Sequence, residues 1–411
     1  MKKNKLKLQG NALVGQSGGP TPVINATLAG VIKECGFSKE IECLYGLKNG
    51  IEGLFGERFI DLGKDFKNQD YLLLTQTPSS ALGSCRYRLP NQNSNINTYE
   101  KIGEIFEKYN IRYFFYIGGN DSMDTVSKLF NYFKSTSFDV RIAGIPKTID
   151  NDLVITDHTP GFGSSAKLIA TAVKEIACDI SCYTQRSVTI IELMGRDTGW
   201  LATSSALPKY YYGYGADLIY LPEIPFSKEK FIDDIKECFK KKTSVLVCVS
   251  EGIREENGKY VSQATTSITD GFNHAYFEGV GKVLESLVKE NIGCKVRSIQ
   301  LSLLQRCSSH ILSRNDVHES IKIGKVTVRL AKKGHSGFMS AFYRDKDRYS
   351  VTVKPVSIDL VANKTKNVPM EFINKDGNNV TKECIDYLTP LVLGEKNIKY
   401  ENGMPLHFRF E

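Results

Sequence analysis

Residues 112–134 read RYFFYIGGNDSMDTVSKLFNYFK. Tyr113 to Ile117 is an unbroken apolar and aromatic run, as a strand buried on both faces requires. Gly118 and Gly119 end it, and a helical pattern fills 121–134. Strand, glycine turn, helix is the repeating unit of a parallel sheet covered by helices.

The same grammar recurs along the chain. Further strands are expected at 11–15 (NALVG), 141–145 (RIAGI), 187–193 (SVTIIEL), 244–249 (SVLVCV) and 298–304 (SIQLSLL). Helical patterns lie between most of them, at 22–35, 98–109, 164–180, 228–241 and 275–290. The fold class is therefore α/β. A chain of 411 residues is too long for one such sheet at roughly 100–200 residues per domain. Two Rossmann-like three-layer domains with mostly parallel sheets are expected, with an active-site cleft between them. One unit takes 1–160 plus about 306–345. The other takes 161–305 plus about 346–411. Beyond about 345 the chain is richer in Asn, Lys and turn residues. Its strands, 349–354 and 357–361, read as antiparallel or peripheral, an elaboration of the second unit.

Composition narrows the class. Hydrophobic residues make up 41% and charged residues 24%, which argues against disorder, collagen and coiled coil. No run approaches the roughly 18 apolar residues of a membrane span. After the basic start MKKNKLKLQGN the next apolar stretch is ALVG, short of the roughly 7–15 residues of a signal-peptide core. The ten cysteines include no CxxC pair; free thiols in a reducing cytoplasm are the simplest account. The net charge of +8 attracts anions. It fits small anionic substrates, nucleic acid or plain lysine enrichment, and no basic block with interleaved aromatics favours nucleic acid.

In open parallel sheets, ligands bind beyond the carboxyl ends of the strands. Six strand ends here carry glycines or charged residues. Gln16-Ser17-Gly18-Gly19-Pro20-Thr21-Pro22 follows the first, with Thr21 and Pro22 placed as N-cap and first helical residue. Gly118-Gly119-Asn120-Asp121-Ser122 follows the second. Both read as phosphate cradles or as tight turns without a ligand. Pro146-Lys147-Thr148-Ile149-Asp150-Asn151-Asp152 follows the third. Asp150 and Asp152 share a face in an extended loop, where a carboxylate can accept a hydroxyl proton, help bind Mg²⁺, or merely cap a turn. Met194-Gly195-Arg196-Asp197, Ser250-Glu251-Gly252 and Gln305-Arg306 complete the set. Arg196 and Arg306 suit a bidentate phosphate clamp or an interdomain ion pair.

Other motifs fall away. There is no GxxxxGK[ST] and no HExxH, and the six histidines have no ligand spacing. Gly161-Phe162-Gly163-Ser164-Ser165-Ala166 imitates a dinucleotide fingerprint but lacks a suitable preceding strand; it reads as a helix start. Trp200 reads as packing.

GGNDS, PKTIDND and MGRDTGW, in this order, resemble the phosphofructokinase family from about residue 11 to 335. The set looks closest to the pyrophosphate-dependent branch. Asp121 and Lys147 stand where ATP-using relatives typically carry glycine. A carboxylate there repels a nucleotide α-phosphate, while the lysine attracts pyrophosphate, a pairing of repulsion and attraction that builds specificity.

The resemblance implies Mg²⁺-dependent, reversible phosphoryl transfer from pyrophosphate to the 1-hydroxyl of fructose 6-phosphate, in glycolysis or gluconeogenesis. It implies donor contacts at Gly18, Gly19, Arg86 and Lys147. Asp150 is the implied proton acceptor. Asp152 orients that site or its Mg²⁺, and Thr148, Met194, Gly195, Arg196 and Glu251 line the sugar pocket. Arg297 and Arg306 would hold the 6-phosphate, with Leu303 beside them where many relatives carry His or Tyr. Asn120 and Asp121 are the implied metal positions, although relatives carry an acid at 120. Arg186 lies one residue off the register of a family arginine that serves a neighbouring subunit. A cytoplasmic homodimer or homotetramer with shared sites is implied, with neither nucleic acid nor membrane as partner. An ATP-dependent enzyme and a non-catalytic regulatory subunit are the alternatives.

Overall fold

The computed structural model describes residues 8–63, 66–262, 279–345 and 348–410. In chain order its main strands are β1 (Gly10–Gln16), β2 (Ile41–Leu47), β3 (Phe59–Asp61), β4 (Ile111–Gly118), β5 (Arg141–Pro146), β6 (Ser187–Leu193), β7 (Leu218–Tyr220), β8 (Ser244–Ser250), β9 (Lys295–Gln300), β10 (Phe338–Arg344) and β11 (Val351–Ser357). They build a seven-stranded sheet, β11-β10-β5-β4-β1-β2-β3, and a four-stranded sheet, β7-β8-β6-β9. The smaller sheet is wholly parallel. In the larger one, only the edge strands β3 and β11 run antiparallel to their neighbours. The expected α/β class with two mostly parallel sheets is the one adopted.

The central strands are buried on both faces because their side chains alternate between two cores. Leu13, Phe114, Tyr116 and Ile142 face the helices Gly50–Phe55, Ile96–Lys108 and Asn120–Lys134. Val14, Tyr113, Phe115, Ile117 and Ile145 face the opposite way, onto the helices Ile24–Gly36 and Arg314–Lys332. In the second sheet, Ile191, Leu193 and Cys248 meet the helix Phe162–Ser181. Val188, Ile190 and Val247 meet Lys228–Phe239 and Val280–Ile292. Truncating Phe114 or Phe115, both fully buried, would remove about 3–5 kcal/mol.

Several expectations need correcting. The segment 346–411, expected with the second sheet, instead supplies β11, the edge strand of the first, hydrogen-bonded along its whole length to β10. Of the strand expected at 357–361, Ser357 ends β11 and Ile358–Leu360 form a turn of 3-10 helix. The helix Lys382–Val392 does pack on the second unit, through Leu388 and Leu391. The sixth strand runs from Lys295 to Gln300 rather than 298–304, and the chain turns at Leu301. The helix expected at 22 begins at Ile24, and Thr21 caps nothing beyond a long contact to the Val23 N–H at 3.4 Å. Of the expected helix 275–290, residues 275–278, like His274, lie outside the described residues. None of the ten cysteines forms a disulfide. Among the described residues no helix is long and apolar enough to cross a membrane.

Candidate active site

The carboxyl ends of β1, β4 and β5 face those of β6, β8 and β9 across a cleft of about 490 Å³. The six strand-end loops meet there. Gly18, Gly19, Arg86, Asn120, Asp121, Lys147, Thr148, Asp150 and Asp152 line one wall. Met194, Arg196, Glu251, Leu303 and Arg306 line the other.

The glycine loop after β1 is shaped by what crosses it. Gly18 adopts φ +74°, a left-handed conformation, and a Cβ on it would stand 3.4 Å from the Lys147 ammonium. A Cβ on Gly19 would stand 3.3 Å from the Arg306 guanidinium carbon. Both cations therefore reach the loop because it lacks side chains. Lys147 is itself buried and donates to the Gly19 carbonyl at 2.5 Å. The neighbouring loop is tied in by Ser84 Oγ, which donates to Gly18 O at 2.6 Å, and by the Gly18 N–H, which donates to Cys85 O at 3.2 Å. That brings Arg86 to the same wall.

The acceptor loop is held as firmly. Thr148 Oγ1 accepts the Asp150 N–H at 3.0 Å and points at Asp150 Oδ2 at 3.5 Å. Thr159 Oγ1 donates to Thr148 O at 2.7 Å, and Thr198 Oγ1 donates to Asp150 O at 3.3 Å from the opposite wall. Asn151 takes φ +54°, which carries Asp150 and Asp152 around a tight bend.

Burial and mutual charge set the proton affinities. Burial, and then Arg306, push the Lys147 ammonium down to about 7. Burial and the Asp150 charge push Asp152 and Glu251 each up to about 7. Burial raises Asp150 too, against the pull of Arg306, Arg196 and Lys147. Lys147 senses Asp150, Asp152, Arg306 and Arg86 electrostatically, so these charges share one small volume. Groups poised near neutrality in a cleft are what acid–base chemistry needs.

Three expected site residues behave differently. Arg297 is exposed and lies outside the cleft, in a separate depression with Tyr183, Gln185 and Lys295. It sits three residues before Gln300, the cleft end of β9, and at about 3.3 Å per residue that is some 10 Å away. Arg186, at the far end of β6, is exposed and covers the ring of Phe239 at 5.4 Å. Asn120 lines the cleft, but its amide is committed. Oδ1 accepts the Asn363 N–H at 2.7 Å, and Nδ2 donates to Lys364 O at 2.9 Å. It is poorly placed as a metal ligand. Gly195 contributes its backbone, with its N–H directed at Glu251 Oε1 at 3.3 Å.

Glu192, Gln300 and Ser302 also line the cleft and were not anticipated. Glu192 Oε2 accepts the Gly281 N–H at 2.8 Å and the Gln300 amide at 3.0 Å. One signal was available: Glu192 is the single charge in the run SVTIIEL.

No group of three or more His, Cys, Asp or Glu side chains able to hold a metal ion occurs among the described residues. That donor set is poor for a protein-caged ion but suits Mg²⁺, which is held by one or two carboxylates and completed by phosphate and water.

A cleft lined by glycine loops, three arginines, a buried lysine and five carboxylates, between two mostly parallel sheets, is built for moving an anionic group. The phosphofructokinase family model matches residues 11–331, and the chain belongs to this family. It is 38% identical over 401 residues to pyrophosphate–fructose 6-phosphate 1-phosphotransferase of Halomonas elongata, covering 97% of this chain and 95% of that one. It is 39% identical over 399 residues to the enzyme of the same name from Methylococcus capsulatus, covering 96% and 94%. Among solved structures, the pyrophosphate-dependent phosphofructokinase of Nitrosospira multiformis superposes with a TM-score of 0.88 at 36% identity, covering 98% and 96% of the two chains.

Proposed function

We propose that the protein transfers a phosphoryl group from pyrophosphate to the 1-hydroxyl of fructose 6-phosphate, reversibly, giving fructose 1,6-bisphosphate and phosphate. The observation that carries this reading is the meeting of Asp121, Lys147 and Asp150 in one cleft. The loops of the larger sheet form the donor half. Gly18, Gly19, Arg86 and Lys147 hold pyrophosphate, and Asp121 keeps a nucleotide out. The loops of the smaller sheet form the sugar half, with Thr148 and Asp150 reaching across to it. Met194, Gly195, Arg196 and Glu251 hold the sugar. Arg306, beside Gly19, stands where the halves meet. It neutralises the transferring group and holds the 6-phosphate near Leu303.

Asp150 takes the proton of the 1-hydroxyl as that oxygen attacks in line. Lys147 and the arginines neutralise charge spread over the phosphoryl oxygens, so catalysis is positioning plus electrostatics. Mg²⁺ fits the donor half. Asp121, whose carboxylate makes no ion pair or side-chain hydrogen bond among the described residues, and Asp152 would hold it. The ion would neutralise phosphate charge there. Arg186 and Arg297, outside the cleft, suit a site shared with another copy of the chain in a cytoplasmic homodimer or homotetramer.

A donor assay tests the reading. With Mg²⁺ and fructose 6-phosphate, pyrophosphate should support turnover and ATP should not. Asp121→Gly combined with Lys147→Gly should weaken pyrophosphate use. An unmutated protein that prefers ATP overturns the donor assignment.

A further inference from the structure

Residues 363–368 pass behind the cleft and touch three of its loops, while none of them lines it. At one end they meet the donor loop. The two hydrogen bonds of the Asn120 side chain, accepted from the Asn363 N–H and donated to Lys364 O, fix the start of the helix Asn120–Lys134. Asn363, in a left-handed conformation at φ +60°, adds a bond from its own amide to Asp124 Oδ1 at 3.0 Å.

Two residues later the same segment meets the acceptor loop. Thr365 bridges to Leu153 in antiparallel fashion. The Lys366 N–H donates to Asp152 O at 2.7 Å. The Lys366 ammonium donates to Asn151 Oδ1 at 3.3 Å, Thr156 O at 3.1 Å and Asp157 O at 2.9 Å. An ammonium has three N–H donors, and all three are engaged by the loop that carries Asp150 and Asp152. Burial pushes this lysine down to about 8, so its charge is retained at a desolvation cost that a purely apolar prop would avoid.

The third link reaches the sugar half. Lys366 O accepts the Trp200 indole N–H at 2.9 Å. The Val368 N–H donates to Glu223 Oε1 at 2.9 Å, and the same carboxylate takes the Gly199 N–H at 3.0 Å.

We propose that residues 363–368 are a strap that fixes the donor loop against the acceptor loop, with Asn120 and Lys366 as its positioning residues. The proposal rests on the roles given above to Asp121 and Asp150. In-line transfer tolerates little misplacement: about 1 Å can cost roughly 10²-fold in rate. β4 and β5 set where the two loops begin. The strap sets where their tips stand. It also accounts for an amide at 120. An aspartate would keep the bond from Asn363 N–H but set a carboxylate oxygen against the Lys364 carbonyl, two acceptors with no proton between them.

The test uses the full-length protein and four variants: Asn120→Asp, Lys366→Met, their combination, and Asp150→Asn as control. Each is measured for kcat, both KM values and Tm. Asn120→Asp should lose roughly 10-fold in kcat and Lys366→Met roughly 10–100-fold, on the misplacement scale above. KM for fructose 6-phosphate should stay within about 3-fold, the split expected when a transition-state arrangement is lost rather than ground-state binding. The double variant should be no worse than about the poorer single one, because both cut the same strap. Unchanged or raised kcat in Asn120→Asp overturns the proposal. So do losses that multiply in the double variant, or a Lys366→Met protein that loses only Tm. If Lys366→Met does not fold, Asn120→Asp decides alone. Full turnover in Asp150→Asn would sink the underlying site reading instead, whatever the strap variants do.

Discussion

Lys147 is held in two opposed ways. Burial and Arg306 discourage its charge, while Asp150 and Asp152 favour it. In the free protein it titrates near 7, so above that pH it is mostly neutral. A bound pyrophosphate brings negative charge against it and raises its proton affinity. Pyrophosphate binding at pH 8 should therefore take up protons, and the uptake should fade toward pH 6, where the lysine is already charged. Calorimetry in buffers of different ionisation enthalpy measures this, and Lys147→Met should reduce it, leaving the part carried by Asp152 and Glu251. Asp150→Ala should cost roughly 10²–10⁴-fold in kcat, the usual weight of a general base, with KM for fructose 6-phosphate nearly unchanged. Asp152 bears on stability. Its carboxyl is raised in the fold, so its contribution is full below about 4, its unfolded value, and is lost as pH rises toward 7. Asp152→Asn should raise Tm by roughly 2–5 °C at pH 8, and by less at pH 5, in thermal scans. At this scale the strand-end loops were legible because glycines and charges interrupt apolar runs. Lys366 was not: it sits in a polar stretch, and its partners lie more than 200 positions away in sequence.

The helix Phe162–Ser181 shows how an element start can mislead. Its glycine-rich opening, residues 161–166, imitates an anion cradle, and its amino end does hold a carboxylate. That carboxylate is Asp316 of this same chain, whose oxygens accept the Gly161 N–H at 3.0 Å and the Ser164 N–H at 2.8 Å. The helix terminus is satisfied internally. Asp316→Ala should cost about 1–3 kcal/mol, because it leaves two buried N–H groups unpaired; urea denaturation reads the loss directly. The expected helix start was legible from composition, but its capping partner belongs to the helix Arg314–Lys332, which periodicity did not reveal. Gly324 and the β-branched residues Val326 to Val328 dilute the helical pattern there, and tertiary packing, chiefly against the helix Ile24–Gly36, organises it. Strand β10 escaped notice for a related reason: Ser340 interrupts a short run that has no glycine turn before a following helix.

At the scale of the molecule, the chain leaves the larger sheet after β5, builds the smaller one, and returns through β10 and β11. The two-sheet count was legible from length and alternation. The allegiance of the C-terminal segment was not, because strand pairing is non-local and the pattern of residues 351–357 names no partner. The last described residues close back on the first unit. Gln76 donates to Lys399 O at 3.0 Å and Leu406 O at 2.7 Å, and Thr77 Oγ1 accepts the Phe408 N–H at 2.8 Å. Phe408 and Phe410 pack against the core there. Deleting residues 396–411 should lower Tm while leaving kcat within about 3-fold, since the strap and the cleft remain intact; removing those few apolar contacts costs on the order of a few kcal/mol. Loss of turnover in that truncated protein would mean the tail acts on the site.

Trp200 is the chain's one tryptophan, and its indole is bonded to the Lys366 carbonyl with the ammonium 5.2 Å from its ring. The protein thus carries a single indole, bonded to the strap behind its cleft. Any ligand that shifts the donor and sugar halves relative to each other will be read in one emission band, without a label and without background from a second indole.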